Sequence, residues 1–209
     1  MAPNPTPTER HDTANALMDA TERLLVREGH ARVATRRVTD EADQAHGLVR
    51  YHFGSLEGLM LATLERATAS VIDRQRALYE GDGPFIDKWR TAMELYDADL
   101  VSGYPKVVAE LLAKAWNEPV YREGLGRVMA SFTEVLTEAV ESAADEYGVE
   151  VDDPVAAATL IRTFQLGMLM EALAGIEVGH DRLRAAIDRA LVAARPEAEG
   201  EVGDASPTA

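Results

Sequence analysis

An all-α fold is what this 209-residue sequence predicts, with a small N-terminal unit of helix-turn-helix layout followed by a larger helical domain. Three observations predict it. Apolar residues recur at helical spacing almost throughout, while strand-like alternation is nearly missing. Turn residues followed by Pro recur just ahead of apolar stripes, which is the punctuation of helix starts. The formal charge of −15 is unevenly spread, −2 over residues 1–70 against −13 over 71–209, so the chain is electrostatically two-part.

Each element follows from local chemistry. Leu17, Met18, Thr21, Leu24 and Leu25 form one face of a first helix, expected to start after an Asp12 or Thr13 cap and to stop at Gly29. A second helix from Thr35 to Ala42, a break at Asp43-Gln44 and a third helix from Ala45 to His52 are each too short to stand alone, so they must pack as a unit. Ser55 is expected to cap a long fourth helix carrying Leu59, Met60, Leu64, Ala67 and Val71, which Gly81-Asp82-Gly83-Pro84 ends. Pro84 then opens a stripe from Phe85 to Leu100, Pro105 one from Val107 to Trp116, and Pro119 the longest, from Leu125 to Ala143, ended by Gly148. Asp153-Pro154 opens an eighth from Val155 to Val178, and Asp181 is expected to cap a ninth with Leu183, Ile187 and Leu191. The resulting division is a flexible arm over 1–13, the helix-turn-helix unit over 14–60, a larger helical domain over 61–195 and a disordered tail over 196–209, where apolar area is too small to offset ordering entropy.

Composition narrows the function classes. With 46% apolar and 27% charged residues the chain reads as an ordinary globular protein. The absence of cysteine excludes disulfide frameworks, thiolate metal sites and cysteine nucleophiles, and points to the cytoplasm. The polar, Pro-rich start has no secretory pattern. Arg162, Gln165 and Glu171 interrupt the most apolar stretch, whereas a membrane span needs roughly 20 mostly apolar residues. No glycine-rich phosphate loop, nucleophile elbow or metal-ligand His spacing is present, so neither catalysis nor a cofactor or metal is implied.

The sharpest signal is the string from Thr39 to Leu59, above all Tyr51-His52-Phe53-Gly54-Ser55, which falls where a recognition helix would end and the next helix begin. This string resembles the signature of the TetR family of bacterial transcriptional regulators. Two positions depart from the family pattern: Asp43 stands at the usual turn Gly, and Leu56 where a Lys is common. Asp can enter the left-handed region, though less freely than Gly. The resemblance implies that Thr35, Arg36, Tyr51, His52 and Ser55 clamp phosphates, that Ala45 and Gly47 allow close approach, and that His46, Leu48 and Arg50 face base edges. Arg50 is the foremost candidate for direct readout, because Arg pairs bidentately with guanine.

The same resemblance implies a homodimer on a palindromic duplex operator, joined through the last two helices, with two recognition helices about 34–36 Å apart. It also implies repression relieved by a small effector bound in the larger domain. Trp89, Met93, Tyr96, Trp116, Met129, Phe132, Phe164 and Met168 form the candidate lining, which suits a hydrophobic or aromatic effector. Arg162 and Gln165 are candidates to orient a carboxylate or hydroxyl of that effector; an interface ion pair of Arg162 with Glu171 or another acid is the competing explanation. A helical dimeric adaptor that binds only protein is the alternative function. It suits the acidic charge but leaves the Ala45–Ser55 string without a role.

Overall fold

In the computed structural model, which describes residues 7–195, the stretches with helical apolar spacing are helices and no strand occurs among those residues. They are α1 Pro7–Glu28, a 3-10 turn His30–Arg32, α2 Thr35–Glu41, α3 Gly47–Phe53, α4 Leu56–Glu80, α5 Phe85–Ser102, α6 Tyr104–Ala115, α7 Pro119–Tyr147, α8 Pro154–Leu173 and α9 His180–Ala194. Residues 1–6 of the expected arm and the whole expected tail, 196–209, lie outside the described residues.

Several ends obey the chemistry that predicts them. Gly29 stops α1 with φ 76°. Ser55 caps α4 by accepting the Gly58 N–H at 3.0 Å, and Asp153 caps α8 by accepting the Ala156 N–H at 2.9 Å. Gly148 closes α7 in the left-handed region, and the next N–H, of Val149, reaches the Ala144 carbonyl at 3.0 Å.

Other ends differ from expectation. α1 begins at Pro7 rather than after Asp12 or Thr13, so residues 7–13 are helix and not arm. Pro at a first helical position is preorganised, and the cap-type residues downstream are overrun where nothing breaks the chain, with Asn15 donating to His11 one turn back along the exposed side at 2.9 Å. α3 starts at Gly47, so the turn is longer than Asp43-Gln44. α8 ends at Leu173 instead of running to Val178, because Gly175 turns left-handed. α9 starts at His180: Gly179, with φ 92°, provides the entry and Asp181 falls inside the first turn.

One buried cluster ties the N-terminal unit to the larger domain. It joins Leu17 and Leu24 of α1, Val38 of α2, Val49 of α3 and Leu59 and Leu64 of α4 to Val107 and Leu111 of α6 and Tyr121 of α7. The packing therefore runs without a seam across residues 60 and 61. A second cluster, Ile86, Trp89, Ala92 and Met93, holds α5 against Ile187 and Leu191 of α9. That α5–α9 contact is pinned at its surface by Arg90 on Asp188, 2.8 Å, and by Arg184 on both oxygens of Asp97, 2.9 and 2.7 Å.

Candidate nucleic-acid interface and ligand cavity

The helix-turn-helix geometry depends on one residue in an uncommon conformation. Asp43, φ 52°, is the one non-glycine with positive φ among the described residues, and it occupies the turn between α2 and α3. A short polar side chain tolerates that region at a cost that a β-branched residue could not meet. At the other end Gly54, φ 75°, stops α3 and lets α4 leave in a new direction. α3 is thus a seven-residue helix with Val49 buried beneath it.

Its outer surface presents the expected reading residues. Ala45, His46, Gly47, Arg50, Tyr51 and Ser55 are exposed, Thr35 and His52 half-buried. Leu48 is a correction: it packs half-buried against the N-terminal core alongside Phe53, because the apolar side chain follows Val49 inward. The His46 ring is anchored through Nδ1 to the hydroxyl of Thr39 on α2. That hydroxyl also lies 3.0 Å from the Thr35 and Arg36 carbonyls. With the hydroxyl proton spent on a carbonyl, Nδ1 donates to Thr39, and in the neutral ring Nε2 is left as an acceptor on an exposed side chain. His52 is held neutral, its pKa lowered by partial burial and then by the nearby Arg10. What the ring can offer a partner is therefore a hydrogen bond rather than a charge.

Arginines of this unit divide into two groups. Arg37 grips both oxygens of Glu28 at 2.7 Å, while Arg27 and Arg23 bind Glu41 at 3.0 and 3.1 Å. Glu28 is pulled down to about 2, first by Arg37, against the effect of burial and with help from Arg27. Arg50 has no acidic partner among the described residues, and Arg36 has only a loose 3.8 Å contact with Asp40 while 83% exposed. Arg32 likewise has no acidic partner among the described residues, and Arg10 of α1 belongs with these three. Sequence reasoning missed it by placing it in a flexible arm, although Pro7 just upstream is a helix-start signal.

The larger domain encloses a cavity of about 70 Å³ between α4, α5, α6, α7 and α8. Tyr96, Met129, Phe132, Arg162 and Gln165 line it as expected. Trp89 and Met93 do not: they are the joint between α5 and α9. Trp116 is 79% exposed at the end of α6, and Phe164 and Met168 pack beside Tyr96 and Leu169 without lining the space. Missed from the sequence are Thr68, Val71 and Gln75 of α4, and Asp99, Tyr104, Val108, Leu166 and Leu169. Gln75 carried a signal: it sits at helical spacing from Leu64, Thr68 and Val71, a polar residue on a core-facing stripe.

The lining is apolar except for a small set of polar atoms with unmet hydrogen bonds. Gln75 Oε1, Tyr96 Oη, Arg162 Nε and Gln165 Oε1 are buried without a partner among the described residues. Gln75 and Gln165 are only 4% and 8% exposed. Buried polar atoms are nearly always paired, so a cluster around one cavity marks a site with work to do. Burial raises the Tyr96 hydroxyl to about 12, so it stays a neutral donor. Asp99 is raised by burial against the opposing Arg74, with which it pairs.

Two further features connect this cavity with the reading unit and with the outside. On α6, Tyr104 and Val108 form cavity wall, while Glu110 accepts the His30 backbone N–H at 2.9 Å and binds the His30 ring. Burial pushes Glu110 up, but its bonds to His30 outweigh this and hold it below the usual range. On the outer side of α8 and α9 and in their connection, Val155, Leu160, Leu173, Ile176, Val178, Leu183 and Val192 are exposed. No helix among the described residues is long and apolar enough to cross a membrane.

Residues 17–63 match the family model of bacterial regulatory proteins of the tetR family. Against curated protein sequences nothing matches. Solved structures similar to this chain include a Rhodococcus sp. protein assigned to the TetR-family transcriptional regulators, at 21% identity and TM-score 0.70, over 89% of this chain and 100% of that one. The reduced form of Escherichia coli NemR is similar at 19% identity and TM-score 0.70, over 85% and 96%. The transcriptional regulator FadR from Bacillus subtilis, in complex with stearoyl-CoA, is similar at 12% identity and TM-score 0.69, over 87% and 99%. At these identities the likeness is one of fold.

Proposed function

We propose that this chain, which carries the N-terminal domain of the tetR family of bacterial regulatory proteins over residues 17–63, is a cytoplasmic transcriptional repressor. It binds a palindromic operator as a homodimer and releases it when a small molecule with an apolar body enters the α4–α8 cavity. The observation that carries the reading is the exposed Arg50 on α3, which has no acidic partner among the described residues and lies on the short helix that opens at the anchored His46, while Arg23, Arg27 and Arg37 are engaged with acids. Arg50 supplies a bidentate donor suited to guanine, and His46 Nε2 an acceptor suited to an exocyclic amine. Arg10, Arg36, Thr35, Tyr51 and Ser55 supply phosphate contacts that set register.

Ligand response runs through α6. A ligand pressing on Tyr104 and Val108 displaces the helix that also carries Glu110, the clasp on His30, and Leu111, which is buried in the core shared with α1 and α3. A coupling of about 1–3 kcal/mol between the two sites suffices for a 5- to 150-fold change in operator affinity. The exposed apolar face of α8 and α9 supports pairing with a second copy as a four-helix bundle.

Fluorescence anisotropy on duplexes tiled across the DNA flanking the protein's own gene, with competitor DNA, tests this reading. A preferred duplex is expected, lost in Arg50→Ala. With Arg10 and Arg36 of both copies on phosphate, log affinity should fall against log salt with a slope of about −4. A folded dimer that prefers no duplex would instead favour the protein-binding adaptor.

A further inference from the structure

We infer that the molecule taken by the α4–α8 cavity is a small organic carboxylate, its charged end on Arg162 and its apolar body against Met129 and Phe132; this rests on the cavity being the effector site. Arg162 is a guanidinium in the wall of a mostly apolar space, and its Nε is buried without a partner. Asp99, the acid in the cavity wall, pairs with Arg74, Asp97 pairs with Arg184 and Glu171 with His180 at 2.7 Å, and Arg162 has no ion pair among the described residues. An N–H cut off from water needs an acceptor, and for a guanidinium the best matched acceptor is an anion.

The remaining orphaned atoms fit the rest of such a molecule. Tyr96 Oη donates a second hydrogen bond to the carboxylate, and the Gln75 and Gln165 amides, both more than nine-tenths buried, accept from a hydroxyl or amine on its body. A volume of about 70 Å³ suits the body of a small carboxylate.

The test is calorimetric titration of the full-length protein with propionate, butyrate, 3-hydroxybutyrate and benzoate, each beside its neutral primary amide, and with Arg162→Gln in parallel. Removing one partner of a buried, hydrogen-bonded charge pair predicts at least about 30-fold weaker binding of the carboxylates to the variant, and selectivity over the amides that disappears with the guanidinium. Circular dichroism melting and sedimentation confirm that the variant is folded and keeps its oligomeric state. Amides that bind as tightly as acids, or acids that bind Arg162→Gln as tightly as the parent, overturn the carboxylate while leaving a ligand cavity in place. Loss of the dimer in Arg162→Gln reassigns the guanidinium to the contact between copies and also overturns it. If no member of either series binds at millimolar concentration, the carboxylate falls; a duplex that still binds specifically keeps the regulator reading and separates the two failures.

Discussion

Gly58→Ala should destabilise this protein, opposite in sign to what helix propensity alone dictates. Gly58 is the third residue of α4, where Ala would ordinarily gain up to about 1 kcal/mol over Gly. A Cβ at this position, however, would overlap the Phe53 carbonyl oxygen and come within 3.3 Å of its carbon, the last residue of α3. Neither atom is a side-chain end that can swing away. Relief requires the end of α3 and the start of α4 to part by roughly 1 Å, at about 1–3 kcal/mol of overpacking strain. The Gly58 N–H bond to Ser55 would be disturbed as well, placing a further ~1 kcal/mol at risk. The net expectation is about 1–3 kcal/mol of destabilisation, or a Tm lower by about 2–10 °C for a unit of this size. Gly126→Ala is the matched control: it is an exposed position inside α7 with nothing within 4 Å of the added carbon, and should stabilise by about 0.5–1 kcal/mol. Urea unfolding followed by circular dichroism measures both, and anisotropy reports the displaced α3. If Gly58→Ala matches Gly126→Ala in stability and keeps parental duplex affinity, the steric reasoning at the α3–α4 junction is wrong.

Three other expectations follow from the geometry. Leu160, 72% exposed on α8, should anchor the contact between copies, so Leu160→Glu should halve the mass seen by sedimentation; an unchanged mass would move the interface elsewhere. Because Arg37 lowers Glu28 from 4.5 to about 2, its stabilisation is complete above pH 4.5 and fades as pH falls towards 2; Glu28→Gln should flatten that acid limb of a pH–Tm profile, and an identical limb would show the pair to be inert. At Gly103, φ 93°, an added Cβ would lie 2.8 Å from Val26 Cγ2 of α1, so Gly103→Ala should cost about 1–3 kcal/mol, partly recovered by Val26→Ala in a double-mutant cycle; strict additivity would disprove the contact.

What could be read from the sequence was what local chemistry determines. Ser55, Asp153 and Gly148 announce helix ends because a side-chain oxygen or a missing Cβ satisfies orphan backbone groups, whatever surrounds them. Asp43 announces a turn because its short polar side chain tolerates the left-handed region. Periodicity also separated buried from exposed faces, but it does not say which buried neighbour a side chain meets. Trp89 and Met93 are core residues, as their stripe demands, yet their neighbour is α9 and not a ligand. Trp116 continues the stripe of α6 on paper, but it caps the open end of the helix, where no neighbouring element covers it. Gln75 and Thr68 do not stand out in the sequence because the division between residues 60 and 61 runs through α4, which is a wall of the cavity. The charge balance of the reading unit likewise could not tell Arg36 from Arg37; only the Glu28 carboxylate, nine residues away in sequence, separates them.

The unbroken core across residues 60 and 61 bears on how such a protein can be rebuilt. A reading unit cut at residue 60 would lose Val107, Leu111 and Tyr121 from beneath α1 and α4, and expose Leu17, Leu24 and Leu59 to water in their place. At about 1.5–3 kcal/mol for each large apolar side chain uncovered, that loss rivals the whole stability of a small domain. Exchange of DNA specificity between two proteins of this construction is therefore better made by replacing the outward residues of α3 than by transplanting the N-terminal unit. The joint is inherited by both halves, and neither can be lent out without it.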